Sequence, residues 1–165
     1  MTTKLHEPLL VVEDSNEDFK MLQRLMRRMA VQNPIHRCTS GDEVLDFLTQ
    51  QRRNGLKPSQ KDGLAPNVAE RNSDVLKPSV ILLDLNLPGI DGRDILTRLK
   101  QDQSFREIPI VVFTTSSNPR DVEFCYQKGA NGYLVKPMDA QELQRTIQAF
   151  VDYWLQVNTP PVSDE

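Results

Sequence analysis

Cysteine is scarce: Cys38 and Cys125 are the only two in 165 residues. They stand far apart with no CxxC spacing, which argues against a disulfide framework and a zinc site and leaves both as small buried hydrophobes. His6 and His36, the only histidines, have no matching Cys or His nearby to make a metal motif. No apolar run exceeds strand length, far short of the roughly 20 residues needed to span a membrane. Met1 to Pro8 has no hydrophobic signal region. An excess of one charge is also lacking. The formal net charge is −3, so the basic footprint of nucleic-acid binding is missing. These absences lead to the expectation of a cytoplasmic protein with no membrane segment and no direct nucleic-acid binding. What remains is 38% hydrophobic and 26% charged, the balance of a globular chain, at a one-domain length.

The apolar pattern alternates between two periods. Leu9 to Val12 is a strand-length run; Phe19, Leu22, Leu25, Met26 and Met29 then recur at helical spacing. Ser15 with Asp18 three residues on resembles a capping box at that helix start. Ile35 to Cys38 is a short strand candidate, and Ser40 with Glu43 opens a second helix. Val80 to Leu83, Ile110 to Phe113 and Tyr133 to Val135 are three further strands. Helices over Asp91 to Lys100, from Asn118-Pro119 to near Gly129, and from Asp139 to about Leu155 separate and follow them. Continuous apolar strands alternating with amphipathic helices predict a parallel sheet covered on both faces. The fold class is therefore α/β, a doubly wound (βα)5 sandwich of five parallel strands, flavodoxin-like or CheY-like.

Residues 1–8 read as an N-terminal arm, 9–156 as the domain and 157–165 as a flexible tail. Residues 50–77 carry Gly55, Pro58, Gly63 and Pro66 and few large apolar side chains. They predict a long loop inserted between the second helix and third strand; such loops are functional or disordered.

In an open parallel sheet the site forms beyond the carboxyl ends of the strands. Glu13 and Asp14 follow the first strand, Asp84 the third, Thr114 the fourth and Lys136 the fifth. Three carboxylates, a hydroxyl and an ammonium group should converge there. Clustered carboxylates repel and need a cation, and oxygen-only ligands favour Mg²⁺. A carboxylate such as Asp84 can be a nucleophile toward phosphorus, while Thr114 and Lys136 can contact phosphoryl oxygens; phosphoryl transfer asks for positioning and charge stabilisation. Each residue alone has a plainer reading, Glu13 and Asp14 as charges favouring a helix N-terminus, Asp84 as a loop residue before Pro88-Gly89. The weight lies in their all falling at strand ends.

The stretches LLVVEDSNED, ILLDLNLPGIDG, IPIVVFTTS and GANGYLVKP make the chain resemble the receiver domains of two-component response regulators, over Leu9 to Leu155. The resemblance implies that Asp84 accepts a phosphoryl group from a sensor histidine kinase phosphohistidine. It implies Mg²⁺ held by Asp14 and Asp84 directly, by Glu13 through water, and by the backbone carbonyl of Asn86. Thr114 would swing toward the phosphoryl oxygens, Lys136 would pair with them, and Tyr133 would be the switch aromatic that follows Thr114. Pro137 would follow a cis peptide bond. Glu13 stands where many members have Asp. Asn86 and Ser116 occupy the positions that tune phosphate lifetime. The insertion, LLDLNLPGIDGR, VVFTTSSN and the YWLQV ending resemble more narrowly the small regulators paired with cyanobacterial phytochromes, which would make the donor a red-light-sensing kinase.

The chain ends about ten residues after the last helix, so output is expected through protein–protein contact or phosphorelay rather than a second domain. Phe150, Val151, Tyr153, Trp154, Leu155 and Val157 crowd the last helix. One helical face should not bury all of them, which predicts a homodimer using Phe150, Tyr153, Trp154 and Leu155. The alternative is a helix that caps its own core. Three other classes stay open. An aspartyl-phosphate phosphatase would want an Asp where Asn86 stands. A flavin carrier would want a Ser/Thr/Gly-rich loop where Glu13 and Asp14 stand. A pseudo-receiver would bind partners without ever being phosphorylated.

Overall fold

Four consecutive apolar residues suffice to cross a sheet covered on both faces, and this chain places such runs at its centre. The computed structural model describes residues 6–55 and 77–161. In it β1 (Leu9–Val12), β3 (Val80–Leu83) and β4 (Ile110–Thr114) are buried at every position. β2 (Ile35–Cys38) and β5 (Gly132–Val135) are only partly buried, because they are the two edges. The strand order is β2-β1-β3-β4-β5 and every pairing is parallel. The order reverses between β1 and β3, so the chain leaves those two strands on opposite sides and opens a crevice beyond their carboxyl ends.

Helices cover both faces. α1 (Asn16–Arg28) and α5 (Ala140–Phe150) lie on one, where Phe19, Leu22, Met26, Ile147 and Phe150 pack on Leu9, Val11, Leu82 and Phe113. α2 (Gly41–Gly55), α3 (Gly92–Gln101) and α4 (Pro119–Gln127) lie on the other, where Val44, Leu48, Ile95, Leu96 and Cys125 pack on Leu10, Val12, Ile81 and Val112. The helix starts follow the expected chemistry. Ser15 Oγ accepts the Asp18 N–H at 3.2 Å, Asn118 caps α4 with Pro119 in its first turn, and Asp139 accepts the N–H groups of Gln141 and Glu142.

Three expectations need correction. The loop placed over residues 50–77 starts later: α2 runs on through Gly55, since Gln50 to Arg53 are good helix formers despite their polarity. Residues 56–76 of that insertion lie outside the described residues, as do 1–5 of the arm and 162–165 of the tail. Next, α5 does not continue as a plain α-helix. It widens into a π-helical segment, Val151–Val157, which carries helical structure one residue into the expected tail. Finally, the crowded apolar residues mostly serve their own core. Ile147, Phe150, Val151, Trp154 and Leu155 fall at i, i+3, i+4, i+7 and i+8, an ordinary inward stripe. Phe150 and Val151 are buried and Trp154 and Leu155 pack against the same cluster. Phe150 is thus an interior residue and not a partner contact. Tyr153 falls off the stripe and Val157 is the last residue of the segment; both stay exposed, at 52% and 72%.

Cys38 and Cys125 are free and buried. Burial pushes both thiols up to about 11, which keeps them protonated and inert. Among the described residues no helix is long and apolar enough to cross a membrane.

Candidate functional site

The sheet ladder continues just past its strands and so delivers the site residues in register. The Glu13 N–H donates to the Cys38 carbonyl at 3.0 Å, Asp84 N–H to Val12 at 3.0 Å and Lys136 N–H to Thr114 at 2.7 Å. Glu13, Asp14 and Asp84 thereby bring carboxylate oxygens within 4.8 Å of one another. Glu13 and Asp84 are 5% and 6% exposed, whereas Asp14 faces solvent.

Lys136 reaches into this cluster from the end of β5. Its ammonium donates to Glu13 Oε1 and Oε2 at 3.2 and 3.1 Å, to Asp84 Oδ2 at 3.0 Å and to Asp18 Oδ2 at 3.1 Å. The other acceptor-side oxygen, Asp84 Oδ1, takes the Asn86 N–H at 3.2 Å. Desolvation, reinforced by Asp84, pushes the Glu13 carboxyl up to about 8 against the opposing pull of Lys136. Burial alone would lower the Lys136 ammonium, but Asp84 and Glu13 outweigh it and hold the group above its ordinary value. One ammonium against three carboxylates leaves the crevice electronegative. A donor set made only of oxygens, with a buried carboxyl that prefers a proton when no further cation is near, fits a hard divalent cation.

Thr114 closes β4 and is fully buried; its Oγ1 is 3.5 Å from the Ser116 N–H. Tyr133, half-buried, donates its hydroxyl to the Ser116 carbonyl at 2.9 Å. The two residues read as a switch pair are therefore joined through one loop residue. The cis bond expected before Pro137 is a further correction, since every peptide bond among the described residues is trans. A trans X–Pro bond is favoured by about 0.5–1 kcal/mol, and Lys136 reaches both buried carboxylates with it.

Sequence reasoning missed two residues. Arg37 on β2 donates from Nε to the Glu13 carbonyl at 2.9 Å, from Nη2 to the Asp14 carbonyl at 3.1 Å and from Nη1 to Asn16 Oδ1 at 2.9 Å. Its guanidinium lies 4.7 Å over the Phe19 ring. Asp18, read only as a helix-start residue, is the third carboxylate on Lys136, beside Glu13 and Asp84.

The family model of the response regulator receiver domain matches residues 65–148. The response regulator Rcp1 of Synechocystis is 32% identical over 94% of this chain and 93% of its own. The chain belongs to the response regulator receiver family. A probable methanogenesis regulatory protein of Methanothrix harundinacea, FilR2, is 31% identical over 93% of this chain and 86% of its own length. The Mn²⁺-bound crystal structure of Rcp1 superposes with a TM-score of 0.76 at 31% identity, covering 94% of this chain and 99% of that one. The phosphorylated cyanobacterial phytochrome response regulator RcpA gives 0.76 at 28% identity, covering 95% and 99%. This receiver thus carries the family's five-stranded architecture across nearly its whole length, with an acidic cluster at the crevice.

Proposed function

We propose that this receiver is a phosphorylation switch in which Asp84 accepts a phosphoryl group from the phosphohistidine of a sensor histidine kinase. The observation that supports it most is Lys136 bonded at once to Asp84 and Glu13 in a buried, electronegative crevice. An Asp84 oxygen attacks phosphorus, the P–N bond breaks, and the imidazole leaves with a proton. The Asn86 N–H and Lys136 orient the two carboxylate oxygens beforehand. As the phosphoryl group arrives, Lys136 is free to pair with its oxygens, and Thr114 can donate to another. Asp14, Asp84, Glu13 and the Asn86 carbonyl would hold Mg²⁺. When bound, the ion supplies the positive charge that lets a dianionic group approach an acidic cluster. The chain acts on nothing but its own phosphorylation state, so it is a switch rather than an enzyme with turnover.

The kinship with Rcp1 and RcpA supports a phytochrome-type histidine kinase as donor, in the cytoplasm, and output through altered protein contacts. Tyr153 and Val157 on the π-helical segment and Val135 on the β5 edge are exposed apolar groups that support a homodimer through this end of the molecule, with Trp154 and Leu155 at its margin.

Transfer from a radiolabelled, autophosphorylated phytochrome kinase tests the reading. Label should pass to this chain in the presence of Mg²⁺ and be base-labile, as an acyl phosphate is. Label that stays on the kinase, or that survives base, would contradict it. For the dimer, light scattering at tens of micromolar should give twice the chain mass and shift toward one with Tyr153→Glu; a monomer in both removes it.

A further inference from the structure

Arg93 occupies the first turn of α3, and this turn sits directly against the proposed acceptor. A Cβ on its neighbour Gly92 would stand 2.3 Å from the Asp84 carbonyl oxygen, and the Gly92 N–H donates to the Leu85 carbonyl at 2.9 Å. From there Arg93 crosses to α4. Its Nη2 is 2.9 Å from Asp121 Oδ2 and its Nε 3.2 Å from Oδ1, a two-point grip. Asp121 in turn accepts the Ser116 hydroxyl at 2.5 Å. Ser116 is the residue whose N–H faces Thr114 Oγ1 and whose carbonyl receives the Tyr133 hydroxyl. A polar chain thus runs Arg93, Asp121, Ser116 and ends on Thr114 and Tyr133, and it starts one residue from Gly92, which packs on the Asp84 backbone. Asp91 takes the third Arg93 side-chain nitrogen, Nη1, at 3.1 Å but lies on the same turn and spans nothing.

We infer that Arg93 is a positioning residue that, through Asp121 and Ser116, latches the loop after β4 in its unphosphorylated position. The inference rests on the acceptor reading above. Thr114 Oγ1 is buried and sits 3.5 Å from the Ser116 N–H, so a Thr114 that turns to a phosphoryl group on Asp84 gives up this contact and moves the loop with it. Ser116 must then leave Asp121, or Asp121 must leave Arg93. The latch stabilises one state only, so it biases a two-state equilibrium by its differential strength. Both partners are mostly covered, with side chains 26% and 20% exposed. That places the pair between surface and buried values, and a bias of about tenfold corresponds to about 1.4 kcal/mol.

The probe is beryllofluoride with Mg²⁺, which mimics the phosphoryl group on a carboxylate, titrated into the full chain. Arg93→Ala and Ser116→Ala should each tighten its apparent Kd by about tenfold, Arg93→Lys by less, and Asp91→Asn not at all. The double change Arg93→Ala with Ser116→Ala should add little to either alone. Thermal unfolding of each variant identifies any that is not folded. Asp121→Asn, which keeps the shape of the side chain, gives the same test if Arg93→Ala unfolds. Wild-type protein that fails to bind beryllofluoride contradicts the acceptor reading itself. Wild-type binding with unchanged or weakened affinity in the folded variants overturns the latch and leaves that reading standing.

Discussion

Arg37 holds the backbone of Glu13: its Nε donates to the Glu13 carbonyl at 2.9 Å, 24 residues away in sequence. The same guanidinium takes the Asp14 carbonyl and stacks on Phe19. Two donors of the rigid fork fix two consecutive acidic residues at the strand end without neutralising their carboxylates directly, and the third holds Asn16 Oδ1.

Arg37→Ala should therefore weaken Mg²⁺ binding by about tenfold, since a lost hydrogen bond to a charged group is worth about 1.5–3 kcal/mol and part of this falls on folding. Arg37→Lys should recover little, because an ammonium cannot serve the three acceptors in one plane. Calorimetric titration with MgCl₂ reads this directly. Equal affinity in wild type and Arg37→Ala would show that the acidic pair is positioned by the sheet alone.

Asp18 competes for Lys136, and its side chain is about half exposed. An exposed pair contributes roughly 0–1 kcal/mol. Asp18→Asn should leave stability within that range, because its backbone N–H still meets Ser15, and should speed acetyl phosphate labelling about two- to threefold. A tenfold loss of rate would instead make Asp18 a residue that positions Lys136.

Two glycines that follow the acceptor, Gly89 and Gly92, should behave differently. At Gly92 a Cβ would meet backbone atoms, the Asp84 carbonyl oxygen at 2.3 Å and Leu85 Cα at 2.6 Å. Overpacking against backbone costs about 1–3 kcal/mol, and here it displaces Asp84. At Gly89 nothing lies within 4 Å, but φ is +73°. The cost of Gly89→Ala is that of a left-handed residue, about 1–2 kcal/mol. Urea unfolding should show both variants destabilised, with labelling of folded protein impaired only in Gly92→Ala. Normal labelling of Gly92→Ala would contradict the close-packed acceptor turn.

Much of this was readable beforehand, for identifiable reasons. Leu9–Val12 and Val80–Leu83 declare buried parallel strands because both faces need apolar side chains. Ser15, Asn118 and Asp139 mark helix starts because their short side chains satisfy free N–H groups. Glu13, Asp84 and Lys136 could be placed together because the topology alone puts strand ends on one edge. Arg37 and Asp18 could not, since a charged residue on an edge strand or in a first helical turn usually faces water. Nor could the polar end of α2, which lacks an apolar stripe, or the π-helical widening after Phe150, which preserves the α-helical spacing of its inward residues.

The proposal that Asp84 is the acceptor is tested most directly by the intact mass of the protein after incubation with Mg²⁺ and acetyl phosphate, beside Asp84→Asn. One added phosphoryl group that requires Mg²⁺ and is absent from Asp84→Asn is the result predicted. No adduct on the wild-type chain, or an equal adduct on both, would contradict it.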